Sequence, residues 1–333
     1  MKNSLLSKHA KSFNWAGFFL PKKTYENCSI LYDFCRTIDD IVDNDEKEID
    51  QKQKDLSKFE NEFLSGVSQN KIISNMHRLM KNNEISEIVV KDLFDGIKYD
   101  LGTVKIKSYN ELYFYCYRVA GTVGIMMAKI LGIKDKESLN CATSLGIAMQ
   151  LTNIVRDVYE DAKMKRLYLP SEIDDYSSLI YGQLHPIDDI DNIFPQEKIK
   201  QENIIENNNH LWRSRLDMIF KSSIFYNFSY LGIKKINLKN RFGIILALNL
   251  YRGIGDKIIK KKKRIGLKEF KERTSTNLLE KFIITIKSFY QLIQIEFFWH
   301  SFYENKVSLS KHTINSEKFF EKFNNILNLN ERF

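Results

Sequence analysis

The feature that most limits the fold of this chain is how rarely it can turn. Its 333 residues include 14 glycines and only 4 prolines, Pro21, Pro170, Pro186 and Pro195. A strand-rich chain needs frequent turn residues, whereas long breaker-free stretches favour helices. Apolar residues make up 43% of the chain, enough for a substantial core. Many recur at helical spacing: within 137–163, Leu145, Ala148, Leu151, Ile154 and Val155 mark such a pattern. Comparable patterns run over 30–42, 85–101, 108–131, 241–262 and 277–303. The charged stretch 45–58 reads as the start of a loop or an exposed helix, and the polar stretch 171–203 as a loop with short helices. Residues 305–333 read as a peripheral helix or a frayed tail. No repeat or Gly/Ser-rich linker interrupts the chain, so the expectation is one all-α domain over 1–333.

Several function classes lose support at this level. Cys28, Cys35, Cys116 and Cys141 form no CxxC pair and suggest buried thiols in a reducing cytoplasm. The N-terminus has no apolar core of signal-peptide length, and the longest apolar run, 242–248, is far short of the ~20 residues a spanning helix needs. His9, His77, His185, His210, His300 and His312 are scattered without zinc-ligand spacing. No GxGxxG or P-loop is present, so a bound nucleotide has no local support. The net charge of +9 suits an anionic substrate or membrane surface as well as a nucleic acid, and no nucleic-acid partner is expected.

Two acidic motifs carry the chemistry. Asp39 and Asp43 are four residues apart, as are Asp157 and Asp161, so each pair shares one helical face. Like charges at that spacing cost a helix a few tenths of a kcal/mol, about 0.2–0.5. Both pairs emerge from apolar surroundings, where carboxylates need a compensating cation. The faces extend into ridges: Tyr32, Arg36, Asp39 and Asp43 on one helix, Gln150, Asn153, Asp157 and Asp161 on another. Facing each other, these would line a cleft suited to hard cations such as Mg²⁺, which prefers oxygen ligands. Arg36 and Arg156 add forked donors that match phosphate oxygens.

The block LYDFCRTIDDIVD (31–43) resembles the first signature of the squalene/phytoene synthase family, and QLTNIVRDVYEDAKMKRLYLP (150–170) the second. YCYRVAGTVGIMM (115–127) is similar to a third block in its phytoene synthase form, and KSFNWAGFFLP (11–21) and LYRGIGDKI (250–258) resemble further segments. Their order and spacing match over roughly 8–265. The chain departs from many relatives at Tyr25, Asp33, Tyr159 and Gly255, none of them a metal ligand, which bears on cavity shape and product length.

The resemblance implies an all-α isoprenoid-synthase bundle around a central cavity. It implies that Asp39, Asp43, Asn153, Asp157 and Asp161 hold Mg²⁺, with Mn²⁺ as the other choice, against the substrate diphosphates. Lys11, Ser12, Tyr32, Arg36, Gln150, Arg156 and Tyr168 would contact phosphate or order the site, with His9 a phosphate neighbour. Tyr115 and Tyr251 would lie near the reacting carbons, and Asp40 and Glu160 behind the ligands. Aromatic faces, Phe13 included, could steady an allyl cation, though core packing accounts for Phe13 as well. The implied reaction joins two geranylgeranyl diphosphates head to head (1′–1) through a cyclopropyl diphosphate to phytoene, the first committed step of carotenoid biosynthesis, without NADPH. The alternatives are a C30 synthase using farnesyl diphosphate, a non-catalytic member acting as an assembly factor, and an ordinary terpene cyclase. The basic run 257–264 is a candidate for peripheral membrane contact during product release, with a solvated helix end as the other reading.

Overall fold

The computed structural model describes residues 11–171, 201–265 and 273–303. Twelve α-helices lie within these residues: α1 (Lys11–Gly17), α2 (Lys22–Val42), α3 (Ile49–Leu64), α4 (Lys71–Asn83), α5 (Glu87–Tyr99), α6 (Tyr109–Cys116), α7 (Thr122–Ile130), α8 (Lys136–Lys163), α9 (Gln201–Ile233), α10 (Leu238–Ile265), α11 (Leu278–Phe297) and α12 (Trp299–Tyr303). A π-helical turn, Tyr117–Gly121, joins α6 to α7. The described β-structure is one parallel pair, β1 (Val104–Lys105) with β2 (Arg166–Leu167). The all-α expectation is borne out. Residues 172–200 and 304–333, and with them most of the expected loop and the tail, lie outside the described residues.

Local sequence explains several helix starts. Asn70, Ser108 and Asp135 accept hydrogen bonds from the first-turn amides of Ile72, Glu111 and Ser138. Asn277 and Glu280 form a reciprocal capping box at the start of α11. Each fills a donor that a helix N-terminus leaves open.

The centre of the molecule is α8, which packs on α6, α7, α9, α10 and the π-turn. Leu139, Ile147, Leu151 and Val155 are fully or almost fully buried along it. Two glycines permit its closest contacts: a Cβ at Gly146 would lie 2.2 Å from the Ala120 carbonyl oxygen, and one at Gly124 would lie 2.3 Å from that of Ala142. The continuous helix expected over 108–131 is thus interrupted by the π-turn where its backbone meets α8. A second packing unit places α2 on α3, α4, α5 and α7, with Phe34 meeting Phe59, Phe63 and Phe94. Helix α7 touches both α2 and α8 and so spaces the two acid-bearing helices.

Candidate active site

Both acidic motifs fall at the C-terminal ends of their helices. Asp39 lies in the last turn of α2 and Asp43 is its C-cap; Asp157 and Asp161 lie in the last two turns of α8. A helix C-terminus carries partial negative charge and disfavours carboxylates. A third acid, Asp100, caps the C-terminus of α5. The β1–β2 pair fastens the chain after Asp100 to the chain after Asp161, with the Val104 amide donating to the Lys165 carbonyl at 3.0 Å. Sequence reasoning missed Asp100 because that pairing, not helical spacing, brings it to the site.

Asp100 is buried and accepts hydrogen bonds from the hydroxyls of Tyr115 at 2.9 Å and Tyr168 at 2.7 Å. The two rings stack with centroids 4.8 Å apart. Tyr115 is therefore held at the acidic end of the site. Tyr251, on α10, packs on Phe13 of α1 at 4.9 Å, within the electrostatic reach of Arg156 and Tyr32. Burial pushes the Tyr251 hydroxyl up to about 12.

The arginines pair selectively with the acids. Asp43 accepts from Arg166 at 2.7 Å. Asp157 is gripped by two guanidinium forks: Arg156 at 2.7 and 2.5 Å, and Arg273 at 2.9 and 3.1 Å. Arg36 turns to Asp40 at 2.5 Å. Among the described residues, neither Asp39 nor Asp161 has a Lys or Arg within ion-pair distance. Burial, then the Asp43 charge, pushes Asp39 up to about 7. Burial, then Asp157, holds Asp161 well above the carboxylate range. Burial also raises Asp100 to about 6, against the opposing pull of Tyr168 and Arg166. Arg166 and Arg273 were not among the expected site residues. The first lies in the RLYLP segment but points back through β2, and the second reaches Asp157 from beyond α10.

The expected site residues thus gather at two levels. Asp39, Asp43, Asp161, Asp100, Tyr115 and Tyr168 share one electrostatic neighbourhood around Arg166. Tyr32, Arg156, Asp157 and Tyr251 share another. Gln150 and Asn153 lie one to two turns before Asp157 on α8, with the Asn153 amide donating to Gln150 at 3.2 Å. Ser12 lies on α1, one residue before Phe13, while Lys11 opens that helix with its side chain outside the described set. His9 lies outside the described residues, and the side chain of Glu160 has one buried oxygen without a partner.

Among the described residues no three acidic, histidine or cysteine side chains converge tightly enough to hold a metal unaided. The donor set nevertheless fits a cation shared with a ligand. The Asn153 Oδ1 is buried without a hydrogen-bond partner, and two half-buried carboxylates, Asp39 and Asp161, have no ion-pair partner among the described residues. Mg²⁺ is commonly held by one or two carboxylates plus substrate phosphates, which needs no complete protein cage. Arg36 Nε and Arg166 Nε are also buried and unpartnered, leaving donors for an anion.

Known proteins resemble this chain in sequence and in fold. The squalene/phytoene synthase family model matches residues 6–178, just over half of the chain. A 15-cis-phytoene synthase of Enterobacter agglomerans is 26% identical over 289 residues, spanning 83% of this chain and 90% of the relative. One from Pantoea ananas is 27% identical over 307 residues, spanning 86% and 92%. In fold, the chain superposes on a dehydrosqualene synthase solved with a ligand, at a TM-score of 0.69 and 23% identity, over 87% of this chain and 94% of that one. The chain belongs to the squalene/phytoene synthase family of prenyltransferases.

Proposed function

We propose that this enzyme is a Mg²⁺-dependent phytoene synthase that joins two geranylgeranyl diphosphates head to head through a cyclopropyl diphosphate. The observation that carries the reading is the meeting of two helix-end acid pairs in which one carboxylate of each pair has no Lys or Arg within ion-pair distance among the described residues. The 15-cis-phytoene synthase relatives, matched over most of this chain, support the C40 substrate.

Asp39, Asp43, Asn153, Asp157 and Asp161 would hold the cation, which supplies Lewis-acid charge to the leaving diphosphate. Arg36 and Arg156 add charge-assisted hydrogen bonds to the same oxygens, with Lys11, Ser12, Tyr32 and Gln150 orienting them. The aromatic faces of Phe13 and Tyr251, packed together below Arg156, shield the allyl cation from water. Tyr115 and Tyr168 hold Asp100 in place and so keep the acid cluster ordered. The departing diphosphate takes the final proton. Reduction by NADPH plays no part in this reading.

The test is incubation of the purified protein with Mg²⁺ and geranylgeranyl or farnesyl diphosphate, with and without NADPH, followed by mass analysis of the extracted hydrocarbon. A C40 product without NADPH supports the proposal. A C30 product would keep the chemistry and replace the substrate, and no product from either would favour a non-catalytic role.

A further inference from the structure

Helix α11 presents an apolar face to the outside. Leu279, Phe282, Ile283, Ile286, Phe289 and Tyr290 are each between 43% and 67% exposed, at the i, i+3, i+4, i+7 spacing of one helical stripe. The stripe does not stand alone. Phe289 meets Phe242 of α10 at 6.2 Å, Phe242 meets Phe19 at 5.1 Å, and Phe19 meets Phe18, which is 83% exposed. A hydrogen bond of 3.0 Å from the Trp15 indole to Thr285 ties α1 to the same helix. Three elements therefore present one continuous apolar surface, beyond what scattered exposed side chains produce.

The charges around it have one sign. The two acids of α11 are engaged, Glu280 with Lys257 at 2.8 Å and Glu296 with Arg241. Exposed Lys22 and Lys23 follow the Phe18–Phe19 corner, exposed Lys239 lies one turn before Phe242, and exposed Lys287 flanks the stripe on α11. The Thr24–Asn240 hydrogen bond at 3.2 Å holds the first two lysines beside the third. A helix with an apolar stripe and a basic rim is built to lie in a lipid interface, its apolar side chains among the acyl chains and its lysines at the headgroups. No described helix is long and apolar enough to cross a membrane, so the fit is to lying on a bilayer.

The surface also adjoins the site. Helix α1 carries Phe13 against Tyr251 at one side and leads into Phe18 at the other. We propose that the outer face of α11, together with the Phe18–Phe19 corner, docks this enzyme on an anionic lipid surface on the side of the molecule where Phe13 packs on Tyr251. The identity of the partner rests on the prenyl-diphosphate reading, since such substrates and their hydrocarbon product partition into bilayers.

The test is flotation of the full-length protein with phosphatidylcholine vesicles, with and without phosphatidylglycerol, in the absence of substrate. The wild-type protein is expected to float, more strongly with the anionic lipid. The triple variant Phe282→Gln/Ile286→Gln/Phe289→Gln should bind at least about tenfold more weakly, since it removes the apolar contact with the acyl chains. Its helical content and melting should stay close to wild type. Changing Lys22, Lys23 and Lys239 to Gln should remove the preference for anionic lipid. Wild-type protein that stays with the aqueous fraction overturns the proposal. So does flotation that the triple variant does not reduce, or a dimer in solution that the triple variant dissociates. Turnover in detergent micelles separates the two claims: the triple variant should keep it, whereas a wild-type protein inactive there would count against the function and leave the docking result standing.

Discussion

The two acidic motifs have the same spacing and opposite wiring. In the first, the second acid is paired, Asp43 with Arg166, and the first, Asp39, is half-buried with no Lys or Arg at ion-pair distance among the described residues. In the second, the first acid is paired, Asp157 with Arg156 and Arg273, and the second, Asp161, is left. Arginines thus pair with one carboxylate of each motif. The other two have no such partner, and their side of the site is where a divalent cation gains most. Identical motifs have been placed in unlike environments, and the environment assigns the roles.

Substitution separates those roles. Asp39→Asn and Asp161→Asn should each lower turnover by about a thousandfold or more, because they remove charge where it acts on the leaving group. Neither should lower the melting temperature of the metal-free protein, since each relieves a desolvated carboxylate with no ion-pair partner among the described residues. Asp157→Asn should lose turnover to a similar degree but also cost the metal-free protein about 2 kcal/mol, because Arg156, with 12% of its side chain exposed, loses its anion. Equal melting of the Asp157 and Asp161 variants would erase the distinction.

A smaller effect tests the third acid. Tyr115→Phe and Tyr168→Phe each remove a donor from buried Asp100 and should destabilise the protein by about 1–3 kcal/mol, read by denaturant unfolding. If neither changes stability, Asp100 is not held as described.

The gentlest probe is pH. Asp39 rises in the fold from 3.8 to about 7, and Asp100 from 3.8 to about 6. A carboxyl that holds its proton more tightly when folded favours the fold at low pH and loses that advantage as pH climbs to its folded value. Without divalent cation, these two groups should make stability fall between about pH 4 and pH 7. Asp39→Asn should flatten that slope. An unaltered slope would place the unmet charge elsewhere.

How much of this could be read from the chain depends on the range of the interaction involved. Helices such as α8 and α11 were legible because their apolar residues repeat at helical spacing. Helix α4 was missed among Lys and Asn residues, although Ile73, Met76 and Leu79 give it a buried face at three-residue spacing. Helix α9 was missed because polar Ser214, Arg215, Ser222 and Ser229 are buried along it while Leu216 and Phe220 are exposed, which blurs its apolar stripe. At the site, Asp39 with Asp43 and Asp157 with Asp161 were visible because four residues make one helical turn. Asp100, Arg166 and Arg273 were not, because a two-residue β-pair and a segment beyond α10 deliver them. The offset wiring of the motifs is likewise a tertiary fact. No local pattern in 31–43 or 150–170 says which acid meets an arginine.

The most direct test of the account is calorimetric binding of a non-hydrolysable thio-diphosphate analogue of geranylgeranyl diphosphate, with and without Mg²⁺, to the wild-type protein and to Asp39→Asn and Asp161→Asn. Binding that needs Mg²⁺ in the wild type, and that loses its Mg²⁺ dependence in both variants, is the predicted result. Affinity that is indifferent to Mg²⁺ in the wild type, or a Mg²⁺ dependence that survives in both variants, would contradict the claim that these two carboxylates hold the cation against the diphosphate.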